Sequence, residues 1–514
     1  MKKHSKKFFA ALALILALAC ALTACAPAAA SSGNAESKAS EAPVSSKAEE
    51  KPVTLKYINR GAKPDTGNCD GIWKAMNDIL LKDLNCTVDV EYLGSGEASQ
   101  MALKYAGNEE FDFAYTANWW GFSDNAQNNA FRELTMDELK QYAPYMVEKL
   151  PDIAWKQASV GGKIYMLPNM VWGYSNVFFE LRGDLREKYG PEQLKTMDDF
   201  EQYLEGVAKN ESGIEALRSD YVRELWLVFP NEWREIGNGW MYNVTESDQP
   251  AVFNQVFTEE YITYAKKMRE FYEKGIFSSN LINDTTVGAQ QFKNGMAATA
   301  VQYFSTSNLT AIALQKSHPE WKVELFNPWM GKKLVLKEFT GNGFVVTRTS
   351  KYGTKVIEVV NKIYGSVELQ KLLNYGVEGV DYDMKDGHLV TRTDVPVEQK
   401  KNLGCDWNMS NQLILNTLVK PDVYPGYSEI LADFEKSVVT NPLQAFAFDR
   451  SGVETEMANM IAVNKEYRAL EYGMIADVDA AVTEYRQKLK DAGYDKVKAE
   501  YDRQVKEFMA TYNN

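Results

Sequence analysis

Histidine is nearly absent from this chain: His4, His318 and His388 are the only three in 514 residues, and they are widely scattered. No H-E-x-x-H pair occurs, so the helical zinc site of metallopeptidases has no ligands here. Cysteine is also scarce. Cys20, Cys25, Cys69, Cys86 and Cys405 show no regular spacing, and so no disulfide framework or zinc ribbon. Cys69 and Cys86 flank a predicted helix that would hold them too far apart to bridge. Free thiols are therefore expected at Cys69, Cys86 and Cys405. The phosphate-cradling G-x-x-x-x-G-K-[ST] is missing, and the Gly-x-Gly pairs at Gly94, Gly237 and Gly341 never complete G-x-G-x-x-G. There is no G-x-S-x-G nucleophile elbow. Asp381, Asp383 and Asp386-Gly387 begin like a calcium loop, but Lys385 and Arg392 stand where ligands are required, so a polar turn is expected. No catalytic residue, metal ligand or cofactor is assigned. A basic surplus is lacking too: 57 Lys and Arg face 70 Asp and Glu, for a formal charge of −13. That balance argues against nucleic acid as partner.

The first fifty residues differ sharply from the rest. Lys2, Lys3, Lys6 and Lys7 precede an apolar run from Phe8 to Ala24. The run is shorter than the roughly 20 residues of a membrane-spanning helix and has the order of an export signal. Leu22-Thr23-Ala24-Cys25 resembles a bacterial lipobox. The resemblance implies cleavage after residue 24, lipidation of Cys25 and an anchor on the extracytoplasmic face of the cell membrane, without a spanning helix. Loss of the four lysines would take the formal charge from −13 to −17. Residues 25–52 are rich in Ala, Ser, Glu, Lys and Pro and hold no aromatic side chain, so they cannot offset their ordering entropy and are expected to form a flexible tether.

Over the whole chain, 45% hydrophobic and 12% aromatic residues are enough for a packed core, which is expected from Val53 onward. Strand-like and helix-like segments alternate. Strands are predicted at 53–57, 88–93, 111–116 and 163–167, and helices at 71–84, 99–106 and 136–149. A second block from residue 171 carries strands at 177–179, 296–302 and 343–347. Its helices are predicted at 197–210, 258–274, 351–364 and 368–375. From Asn441 the pattern is helical. Such alternation predicts mixed, mainly parallel sheets with helices on both faces. Open sheets of this kind bind ligands beyond the carboxyl ends of their strands. That rule points to the segments after Tyr57, Thr116, Leu167 and Gln302.

Three stretches carry a family resemblance. Ala106-Gly107-Asn108-Glu109-Glu110-Phe111-Asp112 leads into Phe113-Ala114-Tyr115-Thr116, followed by Tyr142-Ala143-Pro144 and Gly162-Lys163-Ile164-Tyr165-Met166-Leu167-Pro168. Tyr375-Gly376-Val377-Glu378-Gly379-Val380-Asp381-Tyr382 forms the second. Asn441-Pro442, Phe446-Ala447-Phe448-Asp449, Val453-Glu454-Thr455-Glu456 and Leu489-Lys490-Asp491-Ala492-Gly493 form the third. In order and content they resemble the extracellular solute-binding lipoproteins (family 1 type, binding sugars and oligosaccharides) of bacterial ABC importers. The resemblance implies a two-lobed, periplasmic-binding-protein-like α/β fold with a helical C-terminal extension. It implies a solute captured between the lobes by hinge closure, delivery to ABC permease subunits, and a monomer. The lobes are expected at 53–168 plus 295–333 and at 169–294 plus 334–514, the latter including the helical region 441–514.

A sugar offers flat C–H faces for aromatic rings and hydroxyls for directional hydrogen bonds. The candidate ligand-binding residues are Asn118, Trp119 and Trp120 after the strand ending at Thr116, and Trp172 and Tyr174 after the strand ending at Leu167. Tyr303 follows the strand ending at Gln302. Trp240 and Trp407 lie in loop-like segments; Trp226, between leucines, reads as core. Two other readings stand beside this one. A lipid-anchored glycoside hydrolase needs two carboxylates about 5–9.5 Å apart, which so acidic a chain could supply. A sensory or adhesive glycan-binding surface protein needs only the binding.

Overall fold

The computed structural model describes residues 51–64, 68–94, 98–218, 232–278, 281–283, 288–332, 335–396, 407–418 and 423–512. The expected leader, the expected lipidation site Cys25, most of the expected tether, Trp226, Cys405 and the side chain of Trp407 lie outside the described residues. Among the described residues no helix is long and apolar enough to cross a membrane.

The first sheet is built on Val53–Asn59, in which Leu55 and Tyr57 are fully buried. It runs parallel to Cys86–Tyr92, in register from Val53 opposite Cys86 to Asn59 opposite Tyr92, and parallel to Phe113–Thr116 on its other side. Between the first two strands lies the helix Cys69–Leu84. The Asn68 side chain caps it by accepting from the Gly71 N–H, and it ends where Asn85 turns left-handed at φ 52°. Its buried face, Ile72, Trp73, Met76 and Leu80, has the spacing of a helical stripe. Tyr57 stacks on Phe113 with centroids 4.5 Å apart, and Phe344 packs edge-on to Tyr57. Phe344 arrives from far along the chain. Its strand, Gly343–Val346, enters antiparallel between Phe113–Thr116 and Met166–Pro168.

The second lobe centres on Val177–Leu181, flanked antiparallel by Thr299–Tyr303 and Glu324–Phe326. Val177, Phe179 and Leu181 face a large core shared with the helices Met197–Asn210 and Glu259–Glu273. The C-terminal helices Glu454–Glu466, Val478–Asp491 and Tyr494–Tyr512 extend the same core. They sit close. Gly473, at φ +68°, lies where any Cβ would come within 2.0 Å of the Met268 carbonyl oxygen, so only glycine fits.

The two-lobed α/β fold with a helical C-terminal region is the expected one, and two of its details differ. Among the described strands, the Val53–Asn59 pairs and Val335–Glu338 beside Val438–Val439 are parallel, and the other strand pairs are antiparallel. The lobe assignment is also corrected. Residues 299–326, expected in the first lobe, pair with Val177–Leu181 of the second. Residues 343–375, expected in the second, complete the first sheet and its core through Phe344, Val356, Val360 and Leu369.

The chain passes between the two cores at 172–174, at 336–339 and between Leu413 and Tyr424. The first two passages pair with each other, Lys337 opposite Tyr174 and Glu338 opposite Gly173. Short extended segments of this sort absorb the dihedral changes of a hinge.

Cys69 and Cys86 are both buried, and the Cys69 thiol lies 3.0 Å from the Tyr92 hydroxyl. Burial pushes the Cys86 thiol up to about 11. Asp386 and Gly387, both at positive φ, form the two-residue turn of the hairpin Tyr382–Lys385/His388–Thr391 rather than a cation loop.

Candidate functional site

A cleft of about 750 Å³ lies between the two cores. Its first-lobe wall begins where strands end. The strand Phe113–Thr116 opens into a tight turn in which Trp120 N–H donates to the Ala117 carbonyl. That turn is tied to the crossing segment. Asn118 N–H donates to Thr340 O at 2.9 Å, Trp119 Nε1 to Gly341 O at 2.7 Å, and the Tyr115 hydroxyl to Asn342 Oδ1 at 2.6 Å. The Trp119 indole is therefore fixed in orientation while 57% of it stays exposed. Arg60, the residue after the first strand, places its guanidinium 4.9 Å from the centre of the Trp119 ring. This cation holds the ring and leaves the remaining exposed surface to the cleft.

The second lobe supplies Tyr303, 44% exposed, at the junction of the strand Thr299–Tyr303 with the helix Phe304–Ser317. It also supplies Glu235 and Ile236 from the strand Trp233–Gly237, and Tyr242 from the strand beside it. Glu235 Oε1 accepts from the Gly239 N–H at 3.1 Å. The floor is the crossing segment Leu336–Thr340. Gln157 brackets it, donating to Lys337 O at 3.1 Å and accepting from Phe339 N–H at 2.9 Å. Burial raises the Glu338 carboxyl above the usual range, and the nearby Arg234 pulls it back. Leu443 to Ala447 form a further wall. A second chamber of about 530 Å³ continues past Asn118, Trp119, Glu235 and Phe446 toward Asn238, Asp124 and Arg450.

Of the candidates named from the sequence, Asn118, Trp119 and Tyr303 line this cleft, and Trp120, Trp172, Tyr174 and Trp240 do not. Trp120 turns inward, 7% exposed, against Tyr115. Trp240 has no exposure: it stacks 5.6 Å from Tyr494 and 4.6 Å from Tyr501 under the last helix, so its expected contact with ligand is corrected to a core role. Trp172 and Tyr174 belong to the hinge. Trp172 packs on Phe339, the Tyr174 hydroxyl bonds Glu435, and Lys337 lies 5.1 and 5.6 Å from the two rings. Trp407 opens a short 3-10 turn. The sequence reading missed Arg60, Glu235, Gln157, Glu338 and Phe446. Arg60 alone had a signal, since it follows the first strand's carboxyl end. Among the described residues no group of three or more His, Cys, Asp and Glu side chains is placed to hold a metal ion.

Two exposed aromatic rings come from opposite lobes, amides and carboxylates lie between them, and positive and negative side chains are mixed.

Residues 442–510 match a family described as a domain of unknown function, DUF3502. A carbohydrate ABC transporter substrate-binding protein of Streptococcus pneumoniae serotype 4 is 26% identical over 520 residues, covering 99% of each chain. The crystal structure of the N-glycan transport solute binding protein NgtS from Streptococcus pneumoniae is similar at 22% identity and TM-score 0.71, covering 90% of this chain and 99% of that one. The same protein in complex with Man1GlcNAc is similar at 21% identity and TM-score 0.67, over 89% and 100% of the two chains.

Proposed function

We propose that this chain is the extracytoplasmic substrate-binding component of a carbohydrate ABC importer. It captures an oligosaccharide between its lobes and presents the closed form to a membrane permease. The observation that carries this reading is the cleft itself, where Trp119 of one lobe and Tyr303 of the other stay exposed across a two-strand hinge. Aromatic rings left open to water in a concave site are what the C–H faces of sugars stack against. End-to-end similarity to a carbohydrate transporter's binding protein supports it. Hinge closure follows from the architecture: a ligand that touches both walls binds the closed arrangement better and shifts the population toward it.

The test is a thermal-shift screen of the chain against mono- and oligosaccharides, with peptides as controls, and chromatography of each sugar after incubation. A ligand at 100 times its Kd adds about 2.7 kcal/mol to stability. Stabilisation by one class of oligosaccharide, recovered intact, is the expected result. No stabilisation by any sugar would overturn the reading, and cleaved product would replace it with a hydrolase.

We further propose that Cys25 carries the lipid that holds the chain at the membrane. In cells fed an alkyne fatty acid, the chain is expected to take up label and Cys25→Ala to lose it. Equal labelling of the variant would remove the anchor from this cysteine.

A further inference from the structure

The region matched to a domain of unknown function does more than thicken the second lobe. Its helices bury Val482, Leu489, Val497 and Tyr501 in the second core. Its leading loop, however, reaches the first lobe. That loop is rigidly mounted. Phe448 stacks on Tyr501 at 3.7 Å, and Phe446 packs on Phe508 at 5.5 Å. Asp449 exchanges two hydrogen bonds with the Gln504 side chain, its N–H donating at 2.8 Å and its carbonyl accepting at 2.6 Å. From this platform the Arg450 guanidinium meets Asp124 Oδ2 at 3.0 Å.

Asp124 is equally well mounted, on the other lobe. It lies on the helix Phe122–Gln127, whose Phe122 is buried and stacks on Phe131. The ion pair thus spans the chamber that continues the sugar cleft. Two further contacts cross beside it. Ala447 packs against the first-lobe cluster that holds Phe122, and Lys156 lies 4.2 Å from the centre of the Tyr512 ring on the last helix.

We propose that this C-terminal region is an interlobe clasp, with Arg450–Asp124 as its closing contact, and that it biases the hinge toward the closed arrangement and shuts the far end of the cleft. The inference rests on hinge closure but on no particular ligand. Contacts that form only when the lobes approach add to closure whatever the solute. Both partners are nearly half exposed, 47% and 45%, so the pair is weak and reversible. A solute-release device needs that property, since a buried pair would lock the cleft.

The test is the interlobe distance in the full chain without ligand. Spin labels are attached at p-acetylphenylalanine introduced for Lys140 and for Glu260, exposed positions on helices of the first and second lobes. Asp124→Lys is expected to lower the ratio of short to long distances about two- to fivefold, the range of an exposed ion pair. The double variant Asp124→Arg, Arg450→Asp is expected to restore it. An unchanged distribution in Asp124→Lys, or a double variant that stays as open as the single one, overturns the clasp. Neither outcome depends on a sugar, so a failure of the clasp and a failure of the carbohydrate reading are separately visible.

Discussion

Trp119→Ala is expected to weaken oligosaccharide binding at least about 30-fold and to leave folding nearly unchanged. The ring already stands 57% exposed in a cleft lined from both lobes, held by the bond from its Nε1 to Gly341 O and by Arg60 beside it. Its preorganisation is complete before a sugar arrives, so little rotamer entropy is lost on binding. An indole at the centre of such a site belongs to the class of residues whose truncation costs about 2 kcal/mol or more, and about 1.4 kcal/mol is tenfold in affinity. Trp119→Phe keeps a stacking face but loses the bond to Gly341, and should fall between. Titration calorimetry with the oligosaccharide found by thermal shift reads the effect. An alanine variant within threefold of the wild type would move the stacking platform elsewhere. Tyr303→Ala tests the facing wall in the same way, with a smaller loss because the ring is smaller and less exposed.

Why could Trp119 be picked from the sequence while Trp240 misled? Both follow turn-like segments and both neighbour polar residues. Trp119 obeys a rule that is local: it follows the end of an inner strand of an open sheet, and such ends face the cleft. Trp240 sits in a hairpin whose exposure is decided by the helix Tyr494–Tyr512, about 250 positions later in the chain. No pattern near Trp240 announces that cover. The lobe boundary failed for a related reason. The strands Thr299–Tyr303 and Gly343–Val346 are both short and begin with buried residues. Periodicity gives each its strand character but not its partner, and the two were assigned to each other's lobes. Pairing partners are fixed by contacts far apart in sequence. The cleft's charged residues were hidden differently. In so acidic a chain Glu235 and Glu338 have no local mark, and they gain meaning only where a hinge strand and a hairpin converge beside Arg234.

The fold also contains a carboxyl that no local pattern singles out, and its titration yields the second large effect. Glu180 lies on the middle strand of the second lobe, on the face opposite Phe179 and Leu181. It has no exposure, and neither carboxylate oxygen makes a hydrogen bond of good geometry, although the Ser307 and Thr310 hydroxyls lie close by. Burial lifts its pKa from the ordinary 4.5 to about 7, with Ser307, Lys293 and Thr310 pulling the other way. A carboxyl whose pKa is raised by folding binds its proton more tightly in the folded chain. Its contribution to stability is therefore complete below about pH 4.5 and is lost as pH rises toward 7. The shift corresponds to about 3 kcal/mol. Glu180→Gln carries no charge at any pH, and its amide can take the place of the protonated acid. The variant should match the wild type near pH 4.5 and exceed it by about 3 kcal/mol at pH 8, read as the difference between paired denaturation curves. Comparing the two chains at each pH cancels the titration of every other group. If the variant's advantage is the same at pH 4.5 and at pH 8, Glu180 does not titrate in this interval. If the advantage grows with pH, then near neutrality the carboxyl either holds its proton or pays for a buried charge beside the helix Phe304–Ser317, on the strand that pairs with the one presenting Tyr303 to the cleft.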